Sequence, residues 1–179
     1  MKKHALIVAH DEKLGIGKDN KLPWHIKEDI EIFRNITTEQ LHKDEQDEIK
    51  NVVIMGRKTW ESLPSNYKPL PNRINVVLSK DPQYKLPPNV LLSQSIENAW
   101  TVLKGNSYGH IFVIGGAAIY KEAMKLNYFD TLYVTEIEGN YFCDVFFPDY
   151  RDNFTLIDST TIMQEGSYRF LHKIFKRKS

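Results

Sequence analysis

Short apolar runs separated by segments of helical pattern are the feature of this sequence that most restricts its fold. The runs are rich in β-branched residues and apolar at consecutive positions, which is typical of strands covered on both faces in a parallel sheet. We predict strands at residues 6–9, 52–55, 74–78, 90–92, 111–114 and 132–134. The segments between them predict helices at about 27–41, 57–63, 95–104 and 116–125, with Ser95 as the N-cap of the third.

The C-terminal part of the chain changes character. Residues 154–161 and 168–175 flank Gln164-Glu165-Gly166 without a helical pattern between them, which predicts an antiparallel hairpin at one edge of the sheet. Strands that alternate with helices indicate an α/β fold. We therefore expect one α/β domain over residues 1–179, with a mostly parallel central sheet of about eight strands, a C-terminal antiparallel hairpin and about four flanking helices.

Composition argues against several classes of protein. The 179 residues carry a formal net charge of +1, so no overall field favours nucleic acid or an anionic membrane. The single cysteine, Cys143, cannot form a disulfide within the chain, which favours a reducing compartment. The apolar run 5–9 is too short for a signal peptide, and no window approaches the roughly 18 apolar residues of a membrane span. We expect a cytoplasmic protein, with the charged residues 43–48 forming a solvated extension or loop.

Asp29 is the most informative single position. On a helix it shares a face with Ile26, Ile30, Phe33 and Ile36, because these residues are spaced by three and four. An ionised carboxylate inside an apolar stripe is unfavourable unless it is paired, so the position suggests a polar ligand. An acidic residue in the first turn that stabilises the helix dipole explains Asp29 at least as well. The pattern alone leaves both interpretations open.

A long loop lies between the first strand and this helix. Residues 14–24 contain Gly15, Gly17, an Asp-Asn pair and Pro23, and they end at the large apolar residue Trp24. Long loops in compact domains are often lids or binding elements. A plain surface loop anchored in the core by Trp24 is an equally good interpretation.

Two strand-to-helix junctions contain glycine. In the first, Gly56 precedes Arg57 and Lys58 at the start of a helix, which indicates either an anion site at a helix N-terminus or an accident of sequence. In the second, Gly115-Gly116 would let a ligand approach the backbone closely, although a tight turn explains the pair nearly as well. Neither junction has the complete G-x-G-x-x-G spacing of a Rossmann fingerprint.

Other kinds of site find no support in the sequence. The six histidines are scattered and lack metal-ligand spacing with Cys143, so we expect no metal. The sequence contains no G-x-S-x-G nucleophile elbow and no P-loop. No stripe of basic and aromatic residues indicates RNA binding.

The order and spacing of these segments together resemble the dihydrofolate reductase family along nearly the whole chain. The most specific segments are Leu22-Pro23-Trp24 with an acid five residues later, Gly56-Arg57-Lys58-Thr59-Trp60 and Ile114-Gly115-Gly116. Further matching stretches are 7–9, 61–63, 69–73, 76–79, 133–135 and 147–150, together with Phe33 and Tyr120. The resemblance implies reduction of 7,8-dihydrofolate to 5,6,7,8-tetrahydrofolate with NADPH, by hydride transfer to C6 and protonation at N5. It also implies a monomer that binds antifolate inhibitors and serves one-carbon metabolism.

The resemblance implies roles for the matching residues. Asp29 would bind the pteridine N3 and 2-amino group, Thr135 would orient its carboxylate, and Arg73 would grip the α-carboxylate of the folate tail. Leu22, in a mobile loop expected to close over the nicotinamide, and Trp24 complete the expected catalytic group. The ring pocket is expected to contain Ile7, Val8, Ala9, Phe33, Leu63, Ile114 and Tyr120. The residues expected to contact NADPH are Ala9, Ile16, Gly17, Asn20, Gly56, Arg57, Lys58, Thr59, Leu78, Ser79, Lys80, Ile114, Gly115, Gly116, Ala117, Ala118, Ile119 and Tyr120, with a cis peptide between the two neighbouring glycines.

The sequence departs from the family pattern in two places. Some members have an arginine where Ala118 stands, so Arg57 and Lys80 would have to recognise the 2′-phosphate here. The charged segment near 43–48 lengthens the connection after the first helix relative to compact bacterial members. Two alternatives remain: a pyrimidine reductase of riboflavin synthesis, and a nucleotide-binding module that has lost catalysis. The combination of Asp29 and Thr135 with the Leu-Pro-Trp loop argues against both.

Overall fold

A computed structural model describes residues 2–39 and 49–178 of the chain. The end of the first predicted helix, at residues 40 and 41, and the charged segment 43–48 lie outside the described residues. The helices are α1 (Lys27–Thr38), α2 (Arg57–Ser62), α3 (Ile96–Leu103) and α4 (Ala117–Ala123), with a short 3-10 helix at Ser65–Tyr67. The strands are β1 (His4–Asp11), β2 (Gly15–Gly17), β3 (Asn51–Gly56), β4 (Arg73–Leu78), β5 (Val90–Ser93), β6 (Ile111–Val113), β7 (Thr131–Ile137), β8 (Val145–Phe146), β9 (Phe154–Ser159), β10 (Met163–Glu165) and β11 (Tyr168–Arg177).

Among residues 2–39 and 49–178, nine strands form the main sheet, in the order β10-β11-β7-β1-β6-β3-β4-β5, with β9 also paired to β11. All pairs from β7 to β5 are parallel, and only the C-terminal strands are antiparallel. The predicted α/β fold and mostly parallel sheet are therefore confirmed. Strands β2 and β8 form a separate two-stranded sheet. They were not predicted, because stretches of 3 and 2 residues are too short to show a period.

The continuous apolar runs follow from burial on both faces of the sheet. Along β1, Leu6 and Val8 belong to one hydrophobic cluster, whereas Ala5 and Ile7 belong to another. Successive side chains of a strand point to opposite faces, so each face of β1 packs against its own layer. Tyr120 of α4 belongs to the first cluster, while Phe33 of α1 packs against the second. Helices α1 and α4 therefore cover opposite faces of the sheet.

The C-terminal antiparallel region was predicted correctly in outline and wrongly in detail. Strand β11 lies between β7 and the pair β9 and β10, and it is antiparallel to all three. Residues 163–165 were expected in the connection but form β10, paired with residues 168–170. Gly166 has φ of +60°, and this left-handed conformation permits a turn tight enough for pairing to begin at Glu165 and Tyr168.

The four predicted helices are present within the described residues. Ser95 is the N-cap of α3, and its hydroxyl accepts a hydrogen bond from the backbone N–H of Asn98 at 3.1 Å. One detail of α1 was wrong, because Ile30 is 50% exposed. The advance of about 100° per residue places Ile30 at the margin of the apolar stripe. No helix in residues 2–39 or 49–178 combines the length and apolar character needed to cross a membrane.

Candidate active site

The topology predicts a ligand-binding position at the carboxyl ends of β1 and β6. The connection through α1 leads from β1 to β3, and the connection through α4 leads from β6 to β7, in the opposite direction along the sheet. Right-handed crossovers in opposite directions place their helices on opposite faces. Ligands of open α/β sheets bind where the direction reverses, outside the carboxyl ends of the strands. Predicted site residues lie on the elements that flank this position, β1, α1, β6 and α4.

Asp29 lies in the first turn of α1 and is partly buried. The hydroxyl of Thr135, on β7, donates a hydrogen bond to Asp29 Oδ1 at 2.5 Å, as expected. Burial raises the pKa of the Asp29 carboxyl above its ordinary value, and the Thr135 hydrogen bond offsets this only in part. No salt bridge to Asp29 is present among residues 2–39 and 49–178.

A different residue caps the N-terminus of α1. The backbone N–H groups of Lys27 and Glu28 donate to Glu165 Oε1 and Oε2, at 2.9 and 3.0 Å. The N-cap position, Ile26, supplies no side-chain hydrogen bond. Because Glu165 satisfies two of the free N–H groups at this end and Asp29 accepts from none of them, the Asp29 carboxylate does not act as a cap. The ligand-binding interpretation of Asp29 is thereby favoured over the structural one.

The predicted ring-pocket residues divide between the two faces of the sheet. Ile7 packs in the cluster on the α1 side, and Phe33, Leu63 and Ile114 lie partly buried against that cluster. Val8 points to the α4 side and is buried there. Only the backbone of Val8 is therefore placed to face a ligand beside α1.

Tyr120 connects α4 to strand β1. Its hydroxyl donates to the Ile7 carbonyl oxygen at 2.7 Å, and only 4% of the residue is exposed. A Cβ atom at Gly115 would lie 3.1 Å from the Tyr120 ring. Gly115 also has φ of +112°, a conformation that L side chains rarely adopt. The expected cis peptide bond between Gly115 and Gly116 is present.

Trp24 and Leu22 lie on the loop that precedes α1. Trp24 is 5% exposed and packs with Ile26, Ile137 and Phe170, so the loop is anchored in the core. The indole Nε1 of Trp24 is buried without a hydrogen-bond partner among the described residues. Leu22 is 61% exposed.

The preceding residues of this loop are more ordered than the sequence predicted. Strand β2 pairs with β8, and the backbone N–H of Lys18 donates to the carbonyl of Lys21 at 2.9 Å. The backbone N–H of Asp19 donates to Asp144 Oδ2 at 3.0 Å. Asn20, expected near the cofactor, is exposed and has φ of +59°. Ile16 and Gly17 lie in β2 and are partly buried.

Arg73 lies at the start of β4, beneath α1, and is 9% exposed. Its Nη1 donates to Thr37 Oγ1 at 2.7 Å, its Nε donates to the Pro71 carbonyl at 2.9 Å, and its guanidinium lies 5.7 Å from the Phe33 ring centroid. Burial, and secondarily the nearby Arg34, lower the pKa of Arg73 to about 10, so it stays cationic at neutral pH. No salt bridge to Arg73 forms within the described parts of the chain. A buried cation without an anion is suited to binding a carboxylate ligand.

The two glycine junctions meet at the carboxyl ends of the neighbouring strands β3 and β6. The backbone N–H of Gly56 donates to the Gly115 carbonyl at 2.8 Å, and a Cβ at Gly56 would lie 3.0 Å from Ile119 Cγ1. A Cβ at Gly116 would lie 3.4 Å from Thr59 Oγ1. Helices α2 and α4 start at these junctions without side-chain caps, so their first N–H groups remain available to a ligand. Ala117 and the exposed Ala118 form the first turn of α4.

The expected cations lie in the first turn of α2 and just after the end of β4. The Arg57 guanidinium lies 3.5 Å from Glu61 Oε1 and 5.5 Å from the Tyr84 ring centroid. Lys80 is exposed and donates from Nζ to the Gln94 carbonyl at 3.2 Å. Lys58 is exposed, whereas Leu78 and Ser79 are buried at the end of β4.

Sequence reasoning missed two residues close to Asp29. Glu165 caps its helix, and the Nδ1 atom of His172 lies 2.9 Å from Thr135 Oγ1. Both lie in the C-terminal strands, and β-sheet register alone brings them to α1 and β7. No local sequence signal marks a register of this kind.

Comparison with known proteins agrees with this geometry. The sequence profile of the dihydrofolate reductase family matches residues 3–177. The dihydrofolate reductase of Drosophila melanogaster is 37% identical, over 97% of this chain and 97% of the relative. That of Aedes albopictus is 34% identical, over 99% of this chain and 98% of the relative. The bifunctional dihydrofolate reductase-thymidylate synthase of Daucus carota is 40% identical, but the match covers 81% of this chain and only 28% of the relative. The chain therefore belongs to the dihydrofolate reductase family.

Proposed function

We propose that this chain catalyses the NADPH-dependent reduction of 7,8-dihydrofolate to 5,6,7,8-tetrahydrofolate. The observation that carries the proposal is the position of the Asp29 side chain and its hydrogen bonding. Its carboxylate lies in the first turn of α1, is not used as a helix cap, and accepts one hydrogen bond from Thr135. Family membership supports the same activity. The relatives whose names state this activity include proteins that the chain matches almost end to end.

Asp29 is suited to binding the pteridine ring. A carboxylate accepts two parallel hydrogen bonds, which matches the N3 and 2-amino donors of the pteridine. The Thr135 bond holds the carboxylate in place before the ring arrives. Removing the negative charge would leave the ring donors poorly satisfied, with a loss of roughly 1.5–3 kcal/mol. Antifolates with the same pattern of donors would compete for this carboxylate.

We propose that Arg73 binds the α-carboxylate of the glutamate tail. Its guanidinium is held on one side by Thr37 and Pro71 and rests over Phe33. A planar guanidinium fixed in this way is preorganised for a fork-shaped contact with a carboxylate. Phe33, Leu63 and Ile114, partly buried on the same side of the sheet, would form part of the pocket for the pteridine ring.

The residues at the glycine junctions fit NADPH. The open backbone at Gly115 and Gly116 and the uncapped starts of α2 and α4 provide N–H donors for phosphate oxygens. Arg57, Lys58 and Lys80 are cations beside them, and Arg57 and Lys80 would favour the 2′-phosphate of NADPH over NADH. When bound, NADPH supplies the hydride that reduces C6 of the substrate.

We propose that the protein assists protonation at N5 through electrostatics. Asp29 would be the ionisable side chain that touches the pteridine, and its negative charge would favour a positive charge developing at N5. Water would supply the proton. Closure of the Leu22 loop over the nicotinamide would hold the reacting carbons together. We further propose that the protein acts as a cytoplasmic monomer.

The decisive experiment measures turnover by the loss of NADPH absorbance. The chain should reduce dihydrofolate, should not reduce the aminopyrimidine substrate of riboflavin synthesis, and should use NADPH better than NADH. Asp29→Asn should lower kcat/KM for dihydrofolate by about ten- to more than a hundredfold. NADPH affinity, measured by quenching of tryptophan fluorescence, should stay nearly unchanged. A fully active Asn variant would overturn the assignment.

A further inference from the structure

The Thr135 hydroxyl lies between two hydrogen-bonding partners. Its oxygen is 2.5 Å from Asp29 Oδ1 and 2.9 Å from His172 Nδ1. A threonine hydroxyl carries one proton, so it can donate to one of these atoms and must accept from the other. The direction of one hydrogen bond therefore fixes the direction of the second.

The sheet places the imidazole independently of any ligand. His172 of β11 is directly opposite Thr135 of β7 in the antiparallel register. On the other edge of β11, the His172 N–H donates to Thr160 Oγ1 at 3.1 Å, and its carbonyl accepts from the Thr160 N–H at 2.9 Å. The ring packs edge to face against Phe170, with centroids 5.4 Å apart. These contacts hold the imidazole against the hydroxyl before substrate binds.

The tautomer of His172 follows from the charge on Asp29. An ionised carboxylate only accepts hydrogen bonds, so Thr135 must donate to Asp29. The Thr135 oxygen must then accept from Nδ1–H of His172, which leaves the Nε2 atom with its lone pair. This Nε2 atom is buried and has no hydrogen-bond partner among the described residues. A protonated Nε2 would be a buried N–H without an acceptor, so the surroundings favour the Nδ1–H form.

We propose that His172 is a positioning residue for the reaction: its Nδ1–H fixes the Thr135 proton on Asp29, so that the carboxylate is held ionised and correctly oriented for the pteridine. The inference rests on the proposed function. It adds His172 of β11 as a third residue to the hydrogen-bonded pair of Asp29 on α1 and Thr135 on β7. His172 acts only through Thr135.

Other charged groups near this chain of hydrogen bonds are directed elsewhere. Glu136 of β7 and Lys173 of β11 pair with each other, and alternation along the strands places them on the opposite face from Thr135 and His172. Glu165 of β10 is engaged by the start of α1. From α4, the Tyr120 hydroxyl is committed to the Ile7 carbonyl. Within the described residues, Thr135 and His172 are thus the groups that set the hydrogen bonding of Asp29.

Two variants of His172 distinguish the effect of its Nδ1–H donor from the effect of its planar ring. His172→Phe keeps a planar ring but removes the donor, and His172→Asn places an amide donor near the position of Nδ1. Loss of a net hydrogen bond predicts a fall of about three- to tenfold in kcat/KM for dihydrofolate with His172→Phe. The acidic limb of the pH profile should move to higher pH, because the carboxylate loses support for its charged form. His172→Asn should restore most of the lost kcat/KM and return the acidic limb most of the way to its wild-type pH. Neither variant should alter NADPH affinity.

A second measurement does not depend on turnover. Long-range ¹H–¹⁵N spectra of the wild-type protein report which imidazole nitrogen carries the proton, and at neutral pH His172 should be in the Nδ1–H form. In Asp29→Asn the amide can itself donate to Thr135, so the Nε2–H form should become populated. If wild-type His172 is in the Nε2–H form, or if His172→Phe keeps the wild-type pH profile and kcat/KM, the inference is wrong. Absence of dihydrofolate turnover in the wild type would instead refute the proposed function.

Discussion

The guanidinium of Arg73 donates a hydrogen bond to the hydroxyl of Thr37, at 2.7 Å, and this bond ties the last turn of α1 to the start of β4. The same helix carries Asp29 in its first turn. A single rigid element therefore connects the carboxylate proposed to bind the pteridine with the cation proposed to bind the folate tail. The length of α1 therefore sets the distance between the residues proposed to bind the two ends of the substrate.

Arg73→Lys should weaken binding of the tail without affecting the cofactor. Lysine keeps the positive charge but cannot hold Thr37 and a carboxylate with one planar fork. We expect KM for dihydrofolate to rise about tenfold or more, since hydrogen bonds to charged groups contribute roughly 1.5–3 kcal/mol. Steady-state kinetics with dihydropteroate, which lacks the glutamate, provide the control. An equal loss with both substrates would contradict the assigned role.

Asp29→Asn should stabilise the folded protein at neutral pH. Burial raises the pKa of Asp29 in the folded state, so ionisation above that pKa makes the free energy of unfolding smaller. The amide avoids this penalty and can still hydrogen-bond to Thr135, either through its oxygen as acceptor or through its NH₂ group as donor. The advantage of the variant should be present above the folded pKa and should vanish as pH falls below the unfolded value of about 3.9. Urea unfolding between pH 4 and 8 measures it, and a variant less stable than wild type at pH 7 would be inconsistent with this account.

Glu165→Ala should lower Tm, because two N–H groups at the start of α1 lose their acceptor. Glu165→Gln keeps one acceptor oxygen and should lower Tm less. These backbone hydrogen bonds lower the pKa of Glu165, so its contribution to stability is present above the unfolded value and is lost as pH falls through the folded one. Thermal unfolding monitored by circular dichroism at pH 7 and in acid makes the comparison. Equal Tm values for wild type and Glu165→Ala at pH 7 would show that the cap is dispensable.

Gly115→Ala should destabilise the protein more than Gly105→Ala. Both glycines have positive φ, +112° and +89°, so both substitutions introduce backbone strain of about 1–3 kcal/mol. At Gly115 the new Cβ would also lie 3.1 Å from the Tyr120 ring, whereas at Gly105 it would meet nothing within 4 Å. The difference between the two free energies of unfolding isolates the contact with Tyr120. Similar losses at both positions would mean that the ring moves aside freely.

The sheet was largely predictable because both of its faces are buried. The run around Leu6 and Val8 is apolar at every position because each face packs against its own cluster, and this continuity is visible without any structure. Asp29 was also visible, since a helical period can be read from a short stretch of sequence. What the period could not decide was whether the carboxylate caps its helix.

That decision depended on contacts between distant parts of the chain. Glu165 caps α1 across 138 and 137 residues of sequence, and His172 meets Thr135 across 37. Shifting β11 by one residue would turn His172 to the other face and remove it from Thr135. Local patterns contain no information on such a register, so neither residue could be found before the strands were paired.

The position of β11 inside the sheet has a consequence for synthesis. A ribosome delivers this strand after all of the other strands described here, yet β11 belongs between β7 and the pair β9 and β10. Until it emerges, β7 presents an unpaired edge, and such edges invite association with other chains. The nascent polypeptide would therefore be most dependent on chaperones just before β11 leaves the exit tunnel.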